Sequence, residues 1–309
     1  MNIRAIVVAG PTAVGKTEYA IEVARNFDGE IVSCDSMQLY KYMNIGSAKP
    51  TPQELEMAPH HLVDIIDPRE EFSVAKYQKL ALSAIEDIHS RGKMPIISGG
   101  TGLYLNSLLY EMDFGGSTKD SAFRRRMEEI ALNDGTDRLY QMLAERDPDA
   151  AKRLHPNNVK RVIRALEAVE QGKSISSFEC VTRERPGLDA EMIALERDRE
   201  ELYNRINLRV DKLIDMGLVE EVQGLMDMGL KASDISMKGI GYKEIIEYLD
   251  GNISLEDAVD KVKKNTRHYA KRQMTWLRRY DNIKWFNLSN YSSEGAAKED
   301  IIAWLKERS

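Results

Sequence analysis

The octapeptide Gly10-Pro11-Thr12-Ala13-Val14-Gly15-Lys16-Thr17 constrains this chain more than any other stretch, because it satisfies Gly-x4-Gly-Lys-[Ser/Thr] between two segments of opposite periodicity. Ahead of it, Ile3-Arg4-Ala5-Ile6-Val7-Val8-Ala9 is the short, nearly continuous apolar run of a buried parallel strand. Behind it, residues 18–25 read as a helix. In such a loop backbone N–H groups converge on phosphate oxygens, the helix N-terminus adds partial positive charge, Lys16 adds a full one, and Thr17 offers a hydroxyl to Mg2+. The motif implies a phosphorylated small molecule. It leaves open which compound binds and which bond breaks.

The next hundred residues keep the alternation of strand and helix. Strands are expected over 30–34, 61–66 and 93–98, with a helix over 74–89 capped by Ser73. This is the rhythm of a parallel sheet, and right-handed crossovers set all the strand carboxyl ends on one edge. Around Asp113-Phe114-Gly115-Gly116-Ser117 the texture changes to turn residues, and from Asp120 to Gly172 the pattern is wholly helical. Strand character returns at 191–195, followed by helices, a short strand at 283–286 and a last helix over 294–307. The expected fold is α/β: a P-loop NTPase-like parallel sheet flanked by helices, with a helical insertion domain and a helical C-terminal region. Its boundaries fall at 1–116, 117–188 and 189–309.

Bulk composition narrows the class. With 42% hydrophobic and 30% charged residues the chain reads as globular, and no apolar run approaches the length needed to span a bilayer. Met1 leads straight into the first strand, so no signal peptide is expected. Cys34 and Cys180 are the two cysteines, too few for a disulfide framework or a four-ligand zinc site, and they point to a reducing cytoplasm. His60-His61 lacks cysteine partners and reads as structural.

A net charge of −6 argues against a polyanionic partner, but its distribution does not. Between 261 and 284 there are nine Lys/Arg and one acidic residue, Asp281. Two further basic clusters lie at Phe123-Arg124-Arg125-Arg126 and over 152–164. Local stripes on an acidic chain suit a specific polyanion, though solvated helix faces would look the same. On a helix starting at Ser254, with Asp257 completing a capping-box-like pair, Leu255, Ala258, Val259 and Val262 mark a buried face. Lys264, Arg267, Lys271 and Arg278 mark another face, continued by Arg272 and Arg279. Tyr269 and Trp276 lie among these cations, either to stack on bases or to anchor the core.

Three single residues join the loop as candidates. Asp35 ends the second strand, next to the loop, where it either caps the following turn or puts a carboxylate beside the ligand. Thr101 sits in Gly99-Gly100-Thr101-Gly102 at another strand end, with the same two readings. Arg209 lies about 20° from Leu202 and about 40° from Leu213 on a helical wheel, beside an apolar stripe. An arginine there pairs with a core carboxylate or reaches the phosphate site.

Eight blocks in order then carry a resemblance over nearly the whole length: 10–17, Asp-Ser-Met-Gln-Leu-Tyr at 35–40, Asn-Ile-Gly-Ser-Ala-Lys-Pro at 44–50, His-His-Leu-Val-Asp at 60–64, Gly-Gly-Thr-Gly-Leu-Tyr at 99–104, Arg-Ala-Leu-Glu at 164–167, Gly-Ile-Gly-Tyr-Lys-Glu at 239–244, and Thr-Arg-His-Tyr-Ala-Lys-Arg-Gln-Met-Thr-Trp-Leu-Arg at 266–278. Together they resemble the tRNA dimethylallyltransferase (IPP transferase) family. The resemblance implies transfer of a dimethylallyl group from dimethylallyl diphosphate to N6 of the adenosine 3′ to the anticodon, in tRNAs reading codons that begin with U. It implies Asp35 as general base, Thr101 at the reacting centre, Arg209 and residues 10–17 on the diphosphate, and Mg2+ on Thr17. It also implies Asp35, Ser36, Met37, Gln38 and Thr101 on the flipped base, with Arg124, Lys160, Arg161, Arg164, Lys271, Arg272 and Arg278 on the anticodon stem-loop. The protein would be a cytoplasmic monomer with no membrane partner. Asn158 departs from the aspartate common in that family's His-Pro-Asn-Asp block.

Overall fold

The structure is a computed structural model that describes residues 2–112, 121–172 and 183–308. In chain order its elements are β1 (Ile3–Ala9), α1 (Lys16–Asn26), β2 (Gly29–Cys34), α2 (Pro52–Met57), β3 (His60–His61), α3 (Val74–Ser90), β4 (Met94–Gly99), α4 (Gly102–Leu109), α5 (Ser121–Asn133), α6 (Thr136–Arg146), α7 (Pro148–Arg153), α8 (Val159–Glu170), β5 (Leu188–Glu196), α9 (Arg199–Asp215), α10 (Leu218–Asp227), α11 (Tyr242–Leu249), α12 (Leu255–Leu277), β6 (Ile283–Asn287) and α13 (Glu294–Lys306). They divide into two compact units, residues 1–109 with 186–309, and residues 110–185. The expected turn at 113–117, the 116/117 boundary and Cys180 fall outside the described residues.

The larger unit holds a six-stranded sheet in the order β3-β2-β4-β1-β5-β6, parallel throughout. Its central strand β1 is buried from Ala5 to Ala9, as a sheet covered on both faces requires. Ile6 and Val8 share one core with Tyr19, Ala20 and Val23 of α1, Ile206 of α9 and Ile301 of α13. Helix α3, capped by the Ser73 side chain accepting from the Lys76 amide, packs on β1, β2 and β4.

Register sets the height of the loops. Ala9 pairs with Gly99, Cys34 pairs with Gly99, and Ala9 pairs with Ala194. The segments after β1, β2 and β4 therefore leave the sheet at one level, which brings Gly10, Asp35 and Gly100 to a common edge.

The third strand is shorter than its sequence suggests. Pairing with β2 stops after His60 and His61, because Leu62 and Asp64 adopt left-handed backbone at φ 62° and 59°. Ile66 rejoins through a lone bridge to Tyr40. The histidines are structural: His60 Nδ1 meets the Ala58 carbonyl at 2.8 Å, and His61 Nε2 meets Glu30 at 2.7 Å. Arg91 also forks onto Glu30, and the Arg91 hydrogen bonds, with that of His61, hold its carboxyl down at about 2.

The smaller unit is helical. Phe123, Met127, Leu139, Leu143, Val162 and Leu166 form its core. Inside it, Arg124 forks onto the buried Glu167 at 2.9 and 2.5 Å and so ties α5 to α8.

Candidate active site

A cavity of about 700 Å³ opens at the carboxyl edge of the sheet. Lys16 and Thr17 of the phosphate loop line it, with Asp35 to Gln38 after β2, Arg209 of α9, residues 239–241, and Tyr269, Arg272 and Gln273 of α12. Its charged groups act on one another. Burial pushes the Lys16 ammonium down to about 8, with Asp35 opposing and Arg209 reinforcing that shift. Burial also lowers the Arg209 guanidinium, and Asp35 opposes it. Two cations of lowered basicity facing one carboxylate form a site that gains from a polyanion.

The loop itself is held open by its own backbone. Gly15 takes φ 112°, a left-handed value that a side chain resists, just ahead of α1. Lys16 Nζ donates to the Pro11 carbonyl at 2.8 Å, which keeps the ammonium folded over the loop.

Asp35 satisfies both of its readings. Its Oδ1 accepts from the Met37 amide at 2.8 Å and the Gln38 amide at 3.4 Å, a capped turn, while the residue lines the cavity. No hydrogen bond within the described residues engages its second oxygen, Oδ2. Thr101 supports the turn and stands behind the wall: its Oγ1 accepts from the Ser36 amide at 3.3 Å, and its side chain is hydrogen-bonded to Tyr269, which lines the cavity. The Tyr269 hydroxyl is pushed up to about 12, chiefly by burial, so it remains a neutral phenol. Gln38 is locked at both ends of its amide, accepting from Ser33 Oγ at 2.9 Å and donating to the Ala48 carbonyl at 3.1 Å.

The basic residues of α12 divide. Lys271, Arg272 and Arg278 are exposed, Arg272 also lies over the Tyr269 ring, and Arg279 lies over Trp276 at 4.9 Å. Trp276 is an anchor: it packs on Gly102, where a Cβ would collide with its ring, and its indole N–H donates to Asn106 at 3.3 Å. In the smaller unit Lys160, Arg161 and Arg164 are exposed along one side of α8.

Three contributors escaped sequence reasoning. Gln273 is buried on the core side of α12, where it bridges Thr12 and Gly100. Its signal was a polar residue in the apolar register of Ala258, Val262, Ala270 and Leu277. Glu221 accepts from the amides of Asn44, Ile45 and Gly46 at 2.7, 2.7 and 3.0 Å and from the Tyr242 hydroxyl at 2.8 Å, fixing the loop that carries Gly46, Ser47 and Ala48 into the cavity wall. Arg205 holds the phosphate loop from outside, and no local pattern announced either of these last two.

Mg2+ fits this donor set. Among the described residues no group of three or more His, Cys, Asp or Glu could hold a metal, and Thr17, the last residue of the phosphate loop, lines the cavity. Mg2+ commonly takes one or two protein ligands and completes its shell with substrate phosphates and water. Among the described residues no helix is long and apolar enough to cross a membrane.

Comparison with known proteins agrees with this geometry. The model of the family described as IPP transferase matches residues 38–280. The tRNA dimethylallyltransferase of Caldanaerobacter subterraneus subsp. tengcongensis is 50% identical over 309 residues, covering 99% of this chain and 98% of its own, and that of Alkaliphilus oremlandii is 51% identical over 307 residues. Among solved structures, the full-length tRNA isopentenylpyrophosphate transferase of Bacillus halodurans superposes with a TM-score of 0.74 at 40% identity, covering 99% of this chain and 97% of that one. A eukaryotic dimethylallyltransferase acting on tRNA gives 0.86 at 32% identity, covering 99% of this chain and 79% of that one. A phosphate loop, a carboxylate and an arginine converging on one cavity thus occur in a chain that matches these enzymes from end to end, and the chain belongs to the IPP transferase family.

Proposed function

We propose that this protein transfers the dimethylallyl group of dimethylallyl diphosphate to N6 of the adenosine 3′ to the anticodon, in tRNAs reading codons that begin with U, releasing diphosphate. The observation that carries the reading is the convergence of Lys16, Arg209 and Asp35 on one cavity. Two cations suit a leaving diphosphate, and the Asp35 carboxylate beside them suits a proton acceptor.

The chemistry follows from the acceptor. An adenine N6 lone pair is delocalised into the ring, so the amine is a weak nucleophile. As its C–N bond to the allylic carbon forms, the carbon–oxygen bond to diphosphate breaks and the electron pair leaves with the diphosphate. The N6 proton passes to Asp35, a role worth roughly 10²- to 10⁴-fold in rate. Negative charge growing on the leaving group is met by loop N–H groups, Lys16 and Arg209, each such donor worth roughly 10²- to 10³-fold. Mg2+ held by Thr17 would supply further charge to the diphosphate oxygens. Because N6 is inaccessible in a stack, the nucleotide must swing out of the anticodon loop to reach Asp35. Lys271 and Arg272 on α12 and Arg278 at its C-cap, with Arg124, Lys160, Arg161 and Arg164 on the helical unit, would hold the RNA backbone while it does so.

A labelling experiment tests the reading against phosphoryl transfer, the commoner use of a phosphate loop. The protein is incubated with unmodified tRNA and either dimethylallyl-labelled donor or γ-labelled ATP. Label from the prenyl donor should appear on the adenosine 3′ to the anticodon. Label from ATP on an acceptor, with none from the prenyl donor on tRNA, overturns it.

A further inference from the structure

Two arginines outside the cavity grip the phosphate loop by consecutive carbonyls. Arg205 Nε donates to the Ala13 carbonyl at 3.0 Å, and Arg197 Nε donates to the Val14 carbonyl at 3.2 Å. Neither arginine lines the cavity, whereas Arg209, one helical turn beyond Arg205 on α9, does. One helix face therefore sends one cation into the site and another behind the loop.

The consequence lies in the peptide plane. In a trans peptide the carbonyl of one residue and the N–H of the next point in opposite directions. Drawing the Ala13 carbonyl outward turns the Val14 N–H back into the loop, where it donates to the Pro11 carbonyl at 3.4 Å and closes the turn, and drawing the Val14 carbonyl outward turns the Gly15 N–H toward the cavity that Gly15 lines. Ala13 brings no glycine-like freedom to this turn: it sits at φ 65°, a left-handed conformation disfavoured for a residue with a Cβ, and something must hold it there. An outward hold also removes two carbonyl oxygens that would otherwise repel phosphate.

We propose that Arg205 is a positioning residue of the phosphate loop, which keeps the loop in its diphosphate-binding shape by holding the Ala13 carbonyl from outside, with Arg197 holding the Val14 carbonyl so that the Gly15 N–H faces the diphosphate. The inference rests on the dimethylallyl-transfer reading for its substrate. Its mechanism is the hydrogen bond, and the charge of the guanidinium is incidental.

That distinction makes it testable, because the bonding atom is Nε. Glutamine Nε2 stands the same number of bonds from the backbone as arginine Nε, so Arg205→Gln keeps the donor and removes the charge. Arg205→Lys keeps the charge and displaces the donor by one bond. Inorganic pyrophosphate and dimethylallyl diphosphate are titrated calorimetrically into the purified full chain in Mg2+ buffer, and KM for donor and tRNA and kcat are measured with melting temperature as a check on folding. Arg205→Gln should keep pyrophosphate affinity within about threefold, while Arg205→Lys loses about tenfold or more, with the tRNA KM unchanged in both. The reverse order, equal losses, or wild-type affinity in both variants overturns the proposal. Should Arg205→Lys not fold, Arg205→Met must show the loss in its place, and its absence has the same meaning. Failure of wild type to transfer a dimethylallyl group overturns the functional reading instead, and leaves the pyrophosphate comparison standing.

Discussion

Gln273 and Thr12 join helix α12 to the phosphate loop: Gln273 Oε1 accepts from the Thr12 amide at 2.9 Å, and the other end of the same amide donates to the Gly100 carbonyl at 3.0 Å. Its neighbours Lys271 and Arg272 are exposed, so adjacent residues on α12 serve the surface and the loop. Gln273 also explains Gly100, since a Cβ there would collide with its amide nitrogen and stand 2.8 Å from the Gly10 carbonyl oxygen.

Replacing Gln273 by leucine would orphan the Thr12 N–H and the Gly100 carbonyl, at about 1–3 kcal/mol for each group that water does not reach. Urea unfolding of Gln273→Leu should show a lower midpoint with unchanged slope. Steady-state kinetics should show a raised KM for dimethylallyl diphosphate. A variant with wild-type midpoint and KM would mean that the bridge sustains neither the fold nor the loop.

Asp35→Asn separates the turn that Asp35 caps from the proton-accepting role proposed for it. Asparagine keeps an oxygen for the Met37 and Gln38 amides, so the turn survives, while the proton acceptor is gone. Turnover should fall roughly 10²- to 10⁴-fold with tRNA affinity preserved. Equal losses in affinity and rate would make Asp35 a positioning residue for the base.

The contrast between Asp35 and Gln273 shows what a sequence can display. Asp35, Thr101 and the phosphate loop sit at strand ends, and period-two and apolar patterning locate those ends without tertiary knowledge. The sheet order then brings them together, and the expectation of a common edge holds. Gln273 and Arg205 have partners 261 and 192 residues away, and nothing in local spacing says which backbone group a polar side chain will meet. The strand expected at 61–66 fails for a related reason: its apolar residues promise extension, but Leu62 and Asp64 turn left-handed without a glycine to mark them. The alternatives left open at Tyr269 and Trp276 part company on packing alone, the tyrosine at the cavity and the tryptophan over Gly102.

Lys16 should make donor binding depend on pH. Its ammonium titrates near 8 against an ordinary value of 10.5, because burial disfavours the charge. A cationic acid with a lowered folded pKa weakens the fold below that value, and the penalty fades as pH rises from about 8 towards 10.5. Diphosphate reverses the preference by favouring the charged amine. The Lys16 contribution to pyrophosphate affinity should therefore be level below about pH 8 and fall above it, with a proton taken up by the amine on binding. Calorimetry at about pH 8.5, just above that value, in two buffers of different ionisation enthalpy measures that uptake. Lys16→Arg, whose guanidinium stays charged, should abolish it, and uptake persisting in that variant would assign the titration to another group.

Salt dependence distinguishes residues that touch RNA phosphate from residues that hold the protein together. Removing Lys271 and Arg272 together should raise the tRNA KM and flatten the slope of log affinity against log salt by roughly 0.7 to 0.9 for each phosphate those cations neutralise. Arg124 needs a different treatment, because its guanidinium forks onto Glu167, whose side chain is 4% exposed. Arg124→Ala would leave that carboxylate without its bidentate partner and should lower the stability of the helical unit. A weaker tRNA affinity in Arg124→Ala is thus ambiguous until its salt slope is known. A direct phosphate contact predicts a flatter slope, and a role in ordering the helical unit predicts a parallel line shifted to weaker binding, with a lowered melting temperature. Lys160, exposed on the same unit, provides the reference: Lys160→Ala should flatten the slope and leave melting unaffected.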